Sequence, residues 1–138
     1  MGAHISVPMY QRTVPQRYRL VANACTQCGA ISFPPKATCP QCSVGREFTP
    51  VELKGTGVVY TYTVIAGGGA PPEFTAQARS RGRYPVVMVA LDEGPKVVGQ
   101  LVDCDPEDIR IGMRVRAVMR RIYVEEEVIR YGFKFRPA

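Results

Sequence analysis

Four of the five cysteines of this chain fall in one eighteen-residue stretch, CTQCGAISFPPKATCPQC. Cys25 and Cys28 form one Cys-x-x-Cys pair and Cys39 and Cys42 the other, with ten residues between the pairs. Each pair can fold into a knuckle that presents two sulfurs to one metal at about 2.3 Å, and two knuckles complete a tetrahedron. Gly29 frees the backbone after the first knuckle, and Pro40 suits the turn of the second. The spacing predicts structural zinc held by all four sulfurs. A rubredoxin-type iron site and a redox disulfide pair are the competing uses of the same residues. Four thiolates leave zinc no open position for water, so the predicted metal folds a segment too short for its own core and performs no catalysis.

The other reactive residue types do not assemble into a catalytic set. Cys104 is the remaining thiol, and the one histidine is His4, near the N-terminus. No Cys–His pair is readable from this, so Cys104 reads as a buried structural thiol. Glu125, Glu126 and Glu127 read as a solvated hairpin tip. The phosphate-cradling patterns GxxxxGK[ST] and GxGxxG do not occur, and Gly67-Gly68-Gly69 reads as a flexible hinge. No catalytic residue is predicted, and the chain does not read as a self-sufficient enzyme.

The elements that must position these residues are mostly strands. VVYTYTV alternates, with Val58, Tyr60, Tyr62 and Val64 expected on one face and Val59, Thr61, Thr63 and Ile65 on the other. Residues 66–84 have no periodicity and are rich in Gly, Pro and Arg, which predicts a long functional loop. PVVMVALD and KVVGQLV follow as apolar strands expected at the centre of a sheet, joined by a turn at Asp92-Glu93-Gly94-Pro95. Asp105 is the expected N-cap of a short helix with Pro106 at its first position, stopping near Gly112. Met113, Val115, Ala117 and Met119 alternate with Arg114, Arg116, Val118 and Arg120, and the phase slips at Arg121-Ile122 as at a bulge. VIRYGFKF then puts Tyr131, Phe133 and Phe135 on one face. Five strands with a short helix before the fourth predict an OB-fold barrel, with an SH3-like barrel as the competitor. The expected domains are an N-terminal helical or extended arm (1–22), a rubredoxin-like zinc ribbon (23–50) and a five-stranded OB-fold domain (51–138).

Across its 138 residues the chain is 46% hydrophobic and 22% charged, a globular composition. No apolar run reaches the length needed to span a bilayer, and no signal-peptide pattern is read at the N-terminus, so a cytoplasmic protein is expected. The opening MGAHIS matches a myristoylation pattern with no second membrane signal beside it. A net charge of +6, carried more by Arg than Lys, favours anionic partners. One such reading is a single-stranded nucleic-acid module, with Tyr60 and Tyr62 stacking bases and Arg114, Arg116 and Arg120 tracking phosphates.

The blocks RLVANACTQCGAISFPPKATCPQC, GTGVVYTYTV, YPVVMVALDEG, GQLVDCDPEDIRIGMRV and YGFKFRP, in that order, resemble a known family. It is the acyl-CoA-associated zinc-ribbon/OB-fold family long catalogued as domain of unknown function thirty-five, and the resemblance runs from about Tyr18 to Pro137. The resemblance implies an auxiliary subunit of a thiolase-superfamily enzyme, whose partner carries the catalytic cysteine and histidines. It implies a hetero-oligomer in which this subunit docks on the catalytic one and helps shape or cover the acyl-CoA path, with no nucleic acid or membrane involved. The ending YGFKFRP is most similar to members paired with thiolases, the benzoylsuccinyl-CoA thiolase sub-branch among them. On this reading a coenzyme A thioester lies at the partner interface. Arg79, Arg81 and Arg83, beside Phe74 and Tyr84, face it or the partner, and Gly67–Gly69 lets their loop move as a lid. The alternative is a basic loop that orders only against a protein partner.

Overall fold

The alternation of TGVVYTYTVI folds into a single ten-residue strand, and two sheets are built around the segments that flank it. The computed structural model describes residues 18–66, 82–125 and 127–138, with 11, 12, 14, 69, 70, 74 and 79. His4, Gly67, Gly68, Arg81, Glu126, most of the expected N-terminal arm and most of the long loop lie outside the described residues.

The first sheet is small. Strands β1 (Val21–Cys25), β2 (Ile31–Ser32) and β3 (Phe48–Glu52) pair antiparallel in the order β2-β1-β3, with Asn23 opposite Ser32 and Cys25 opposite Phe48. The second sheet holds β4 (Thr56–Ile65), β5 (Tyr84–Leu91), β6 (Lys96–Gln100), β7 (Arg114–Glu125) and β8 (Val128–Pro137) in the order β6-β5-β4-β7-β8. Its two edges meet through a parallel bridge between Leu101 and Phe135, where the Val102 N–H donates to the Phe135 carbonyl at 2.8 Å. The result is a nearly closed five-stranded barrel with the connectivity of an OB fold.

Local chemistry explains most of the connections. Gly94, at φ +116, closes the β5–β6 turn, with its N–H on the Leu91 carbonyl at 2.9 Å. Asp105 caps the expected helix through the Glu107 N–H at 3.1 Å, but only one 3-10 turn forms, over Pro106–Asp108. Ile109 is already extended and is buried in the core, so burial of that side chain ends the helix before Gly112 does. The bulge expected at Arg121-Ile122 is present as a register shift between Arg121 and Tyr123.

Two expectations from periodicity are corrected. A second bulge at Tyr60 shifts the β4–β5 register, so that Val59 faces Val89 while Tyr62 and Val64 face Val87 and Pro85. Tyr62 and Val64 therefore share a face with Val59, because one inserted residue moves every later side chain to the other side. Strand β6 is an edge of the five-stranded sheet, and Val98 on it is 58% exposed. A continuous apolar run reports two apolar faces, not two paired edges.

The core is a cluster of Val59, Val87, Val89, Leu91, Val97, Leu101, Ile109, Val115 and Phe135 inside the barrel. Leu20, Ala22 and Leu53 from around the small sheet join the same cluster, and Phe33 meets Phe133 edge-on at 6.1 Å. The small sheet is thereby seated on the barrel. Gly57 allows β4 and β5 to approach closely, since a Cβ there would lie 2.3 Å from the Ala90 carbonyl oxygen.

Candidate metal centre and flanking clefts

Two turns place the cysteines. The Gly29 N–H returns to the Cys25 carbonyl at 2.9 Å, and the Ser43 N–H to the Cys39 carbonyl at 3.0 Å, so each Cys-x-x-Cys closes on itself. Gly29 has φ +74, which explains a glycine after the first pair. The four sulfurs all lie within 4.8 Å of one another. Across the two knuckles, Cys25 and Cys42 are 3.9 Å apart and Cys28 and Cys39 are 3.5 Å apart. A tetrahedron with metal–sulfur bonds of about 2.3 Å has edges of about 3.8 Å. The donor set therefore fits a tetrahedral ion such as zinc.

The backbone around the sulfurs is arranged for thiolates. N–H groups of Val44 and Gly45 hold Cys42 down at about 6, and those of Cys28 and Gln27 lower Cys25. The Ala30 N–H also favours the Cys28 thiolate, but the Cys39 sulfur, burial and the other two sulfurs outweigh it and push Cys28 up to about 11. Four close sulfurs cannot all ionise unaided. A bound Zn²⁺ supplies the positive charge that lets them. Gly45 completes the cradle: its N–H points at Cys42 Sγ at 3.4 Å, and a Cβ there would lie 2.4 Å from Cys25 Sγ.

Two clefts open on the barrel. One, of about 350 Å³, is mainly apolar and lies among Ile65, Phe74, Val86, Val98, Ile122 and Phe133. The other, of about 330 Å³, brings Arg83, Arg120, Arg121 and Cys104 to one wall system with the carboxylate of Asp103. Tyr84 and Lys134 line both.

Residues 12–48 match the family model described as ChsH2, rubredoxin-like zinc ribbon domain, and residues 50–120 match that described as ChsH2, C-terminal OB-fold domain. This chain belongs to the ChsH2 zinc-ribbon/OB-fold family. The DUF35 domain-containing scaffold protein of Methanocaldococcus jannaschii is 43% identical to it over 91% of this chain and 86% of the relative. That of Methanothermobacter thermautotrophicus is 40% identical over 91% and 92%. A probable enoyl-CoA hydratase alpha subunit of Thermomonospora curvata is 37% identical over 70% of this chain, which spans 28% of that longer protein. A chain of the solved Ltp2-ChsH2(DUF35) aldolase superimposes with a TM-score of 0.69 at 32% identity, with 96% of each chain covered.

In this ChsH2-family chain the zinc-ribbon assignment and the clustered sulfurs together support structural zinc at Cys25, Cys28, Cys39 and Cys42. Of the residues expected to face coenzyme A or a partner, Phe74 and Tyr84 are brought into ring contact at 6.1 Å. Arg83 lines the cationic cleft and is ion-paired with Glu107. Arg79 is exposed and lines neither cleft, and Arg81 lies outside the described residues. Cys104 is only partly buried and sits in the cationic wall. Its thiol is raised by burial and then by Asp108 and Asp105, so it stays protonated at neutral pH and is a poor nucleophile.

Sequence reasoning missed Lys134, Arg121 and Ile122 as cleft residues. The usable signal was a lysine between two phenylalanines, FKF, in a strand. The cation track proposed for nucleic acid is largely answered within the protein. Arg114 is bidentate to Asp92 at 2.8 and 3.0 Å, and Arg120 meets Asp103 at 2.8 Å. Tyr60 carries Lys96 Nζ over its ring at 4.0 Å.

Proposed function

We propose that this chain is a non-catalytic auxiliary subunit of an acyl-CoA-processing, thiolase-like complex. It docks on the catalytic subunit and helps shape or cover the path of the acyl-CoA. The observation that carries this reading is the end-to-end likeness, over 96% of both chains, to a component of the Ltp2-ChsH2(DUF35) aldolase. The scaffold proteins among its relatives, and the hydratase subunit that contains a related segment, support the same role. The chemistry is consistent with it. The one histidine, His4, lies outside the described residues, and burial, then Asp108 and Asp105, raise the Cys104 thiol and disfavour it as a nucleophile; on this reading the acyl-transfer nucleophile belongs to a partner. The basic residues near Tyr84 supply cations for coenzyme A phosphates, and the proposed lid is the segment carrying Phe74, Arg79, Arg81 and Arg83.

The test is co-purification from native extract, followed by a salt titration of the complex. A thiolase-sized partner should co-elute and stay bound at about 0.5 M salt, where surface ion pairs are heavily screened. Reversing charge at Arg79, Arg81 and Arg83 together should raise the KM for acyl-CoA more than it weakens assembly. Sub-micromolar binding of a mixed-sequence oligonucleotide at physiological salt, with no protein partner, would overturn this reading in favour of the nucleic-acid module.

A further inference from the structure

Phe135, Phe133, Tyr131 and Ile129 follow a strict two-residue period, so they share one face of β8. Along that face burial runs out. Phe135 has no exposure and Phe133 packs against the core and Phe33, but Tyr131 is 48% exposed and Ile129 45%. Directly across on β7, Ala117 packs on the core, while Met119 and Val124 are each 48% exposed. A stripe that begins in the barrel core therefore continues into solvent as an apolar face. The ribbon that carries it has little other support. β7 pairs with β4 only through Arg114, Val115 and Arg116, and β8 is bridged to Leu101 at Phe135. Past these points neither outer edge is paired among the described residues. A two-stranded ribbon in water is marginally stable by itself, and unpaired edges invite another chain.

Charge says what kind of surface covers this face. Arg121 stands across from Tyr131 and is exposed. Arg114 and Arg120 on the same strand are answered by Asp92 and Asp103, whereas no ion pair holds Arg121 among the described residues. Met119, Arg121, Val124, Ile129, Tyr131 and Phe133 include no acid. A second copy stacked here by a two-fold axis would bring the same cation-bearing face to both sides, with no carboxylate to meet it. The face is also small. At ~3.3 Å per residue and ~4.8 Å between strands the outer ribbon covers about 250 Å², against the roughly 800 Å² a side of a stable interface. A larger protein can take the face and the open edges together.

We infer that the outer half of the β7–β8 ribbon is a docking surface for a different protein, one that presents an apolar patch with a carboxylate opposite Arg121. Tyr131, Ile129 and Val124 make the apolar contact, and Arg121 sets its register. Naming that protein as the catalytic subunit rests on the function proposed above.

The experiment uses the zinc-loaded full chain and the thiolase-sized subunit that co-elutes with it. Hydrogen exchange with and without that subunit should place the strongest new protection within residues 118–134. Tyr131→Ser, and Val124→Asn combined with Ile129→Asn, should each weaken association about thirtyfold, as loss of an interface anchor does. Arg121→Glu should weaken it about tenfold, and Arg121→Lys should keep most of the affinity. Arg116→Gln, an exposed cation on the other face of β7, should change nothing. These side chains are all exposed, so zinc content and amide dispersion should stay as in the wild type. Wild-type affinity in the Tyr131 and Val124/Ile129 variants, or protection confined to β1, β2 and β3, would overturn the docking surface and leave the subunit role standing. Equal losses in Arg121→Glu and Arg116→Gln would overturn the carboxylate assignment, since attraction would then be bulk charge alone. A chain that sediments alone as a dimer, and as a monomer with Ile129→Arg, would give the face to a second copy and overturn the proposal. If no catalytic subunit co-elutes, the role proposed above fails and this assignment fails with it.

Discussion

The zinc ribbon and the barrel are made by one chain in one solvent, yet they are held together differently. In the barrel, Val59, Val87, Val89, Ile109, Val115 and Phe135 are each exposed by 1% or less, and long paired strands surround them. In the ribbon the strands are two to five residues long, and two of the deepest side chains are the ligands Cys25 and Cys39. A barrel of this size buries enough apolar surface to offset the entropy of ordering its backbone. The ribbon does not, and metal–sulfur bonding substitutes for the missing core. The division is not complete, because Leu20, Ala22 and Leu53 join the barrel's cluster and Phe33 packs on Phe133.

The most severe test of that contrast is removal of the metal. Structural zinc in small domains binds with about 10–16 kcal/mol, most of it folding energy. Chelation, or Cys39→Ser, should collapse the amide spectrum of residues 21–52 while the signals of β4 to β8 stay dispersed. A single transition that takes both regions down would break the comparison. Metal analysis showing iron with its visible absorption, or no metal, would break the zinc assignment.

Next in size is the barrel's own keystone. Phe135→Ala empties a site with no exposure and should cost about 3–5 kcal/mol in denaturant unfolding, with zinc content unchanged. A pair of glycines then separates the two regions. Gly45→Ala drives a methyl against Cys25 Sγ and should lower zinc occupancy without moving the barrel's unfolding midpoint. Gly57→Ala drives one against the Ala90 carbonyl and should cost the barrel about 1–3 kcal/mol with zinc retained. Crossed outcomes would mean that strain passes freely between the regions.

The smallest expected effect is electrostatic. Hydrogen bonds from Arg114, then Thr56, hold Asp92 at about 2 against an ordinary 3.8. A carboxylate depressed in the folded state stabilises fully above its ordinary value, and that contribution fades as pH falls from 3.8 through about 2. Asp92→Asn should flatten the stability profile in that window, by a small amount because the pair is exposed. Both partners belong to the barrel, so zinc retention should not follow this titration.

Legibility followed the range of the physics involved. The two Cys-x-x-Cys pairs announced a metal site because a knuckle is a local turn whose geometry depends on its own few residues. The bulge near Ile122 was readable for the same reason, as a break in a strict two-residue period. The bulge at Tyr60 was not: Val59, Tyr60 and Tyr62 are all good strand formers, and nothing in their types marks the extra residue. The N-cap at Asp105 was legible, but the length of the helix was decided by where Ile109 is buried.

The sequence by itself determined the order of elements, the ligand set Cys25, Cys28, Cys39 and Cys42, and the membership of a zinc-ribbon/OB-fold family. Tertiary structure alone decided that β6 is an edge, that Lys134 is buried, and that Tyr84 and Lys134 stand between an apolar and a cationic cleft. The reason is one of distance along the chain. Closing the barrel brings Tyr84, Val98, Ile122 and Lys134 from four different strands to one place, and residue types in sequence order carry no record of how far a coiled sheet turns before its edges meet.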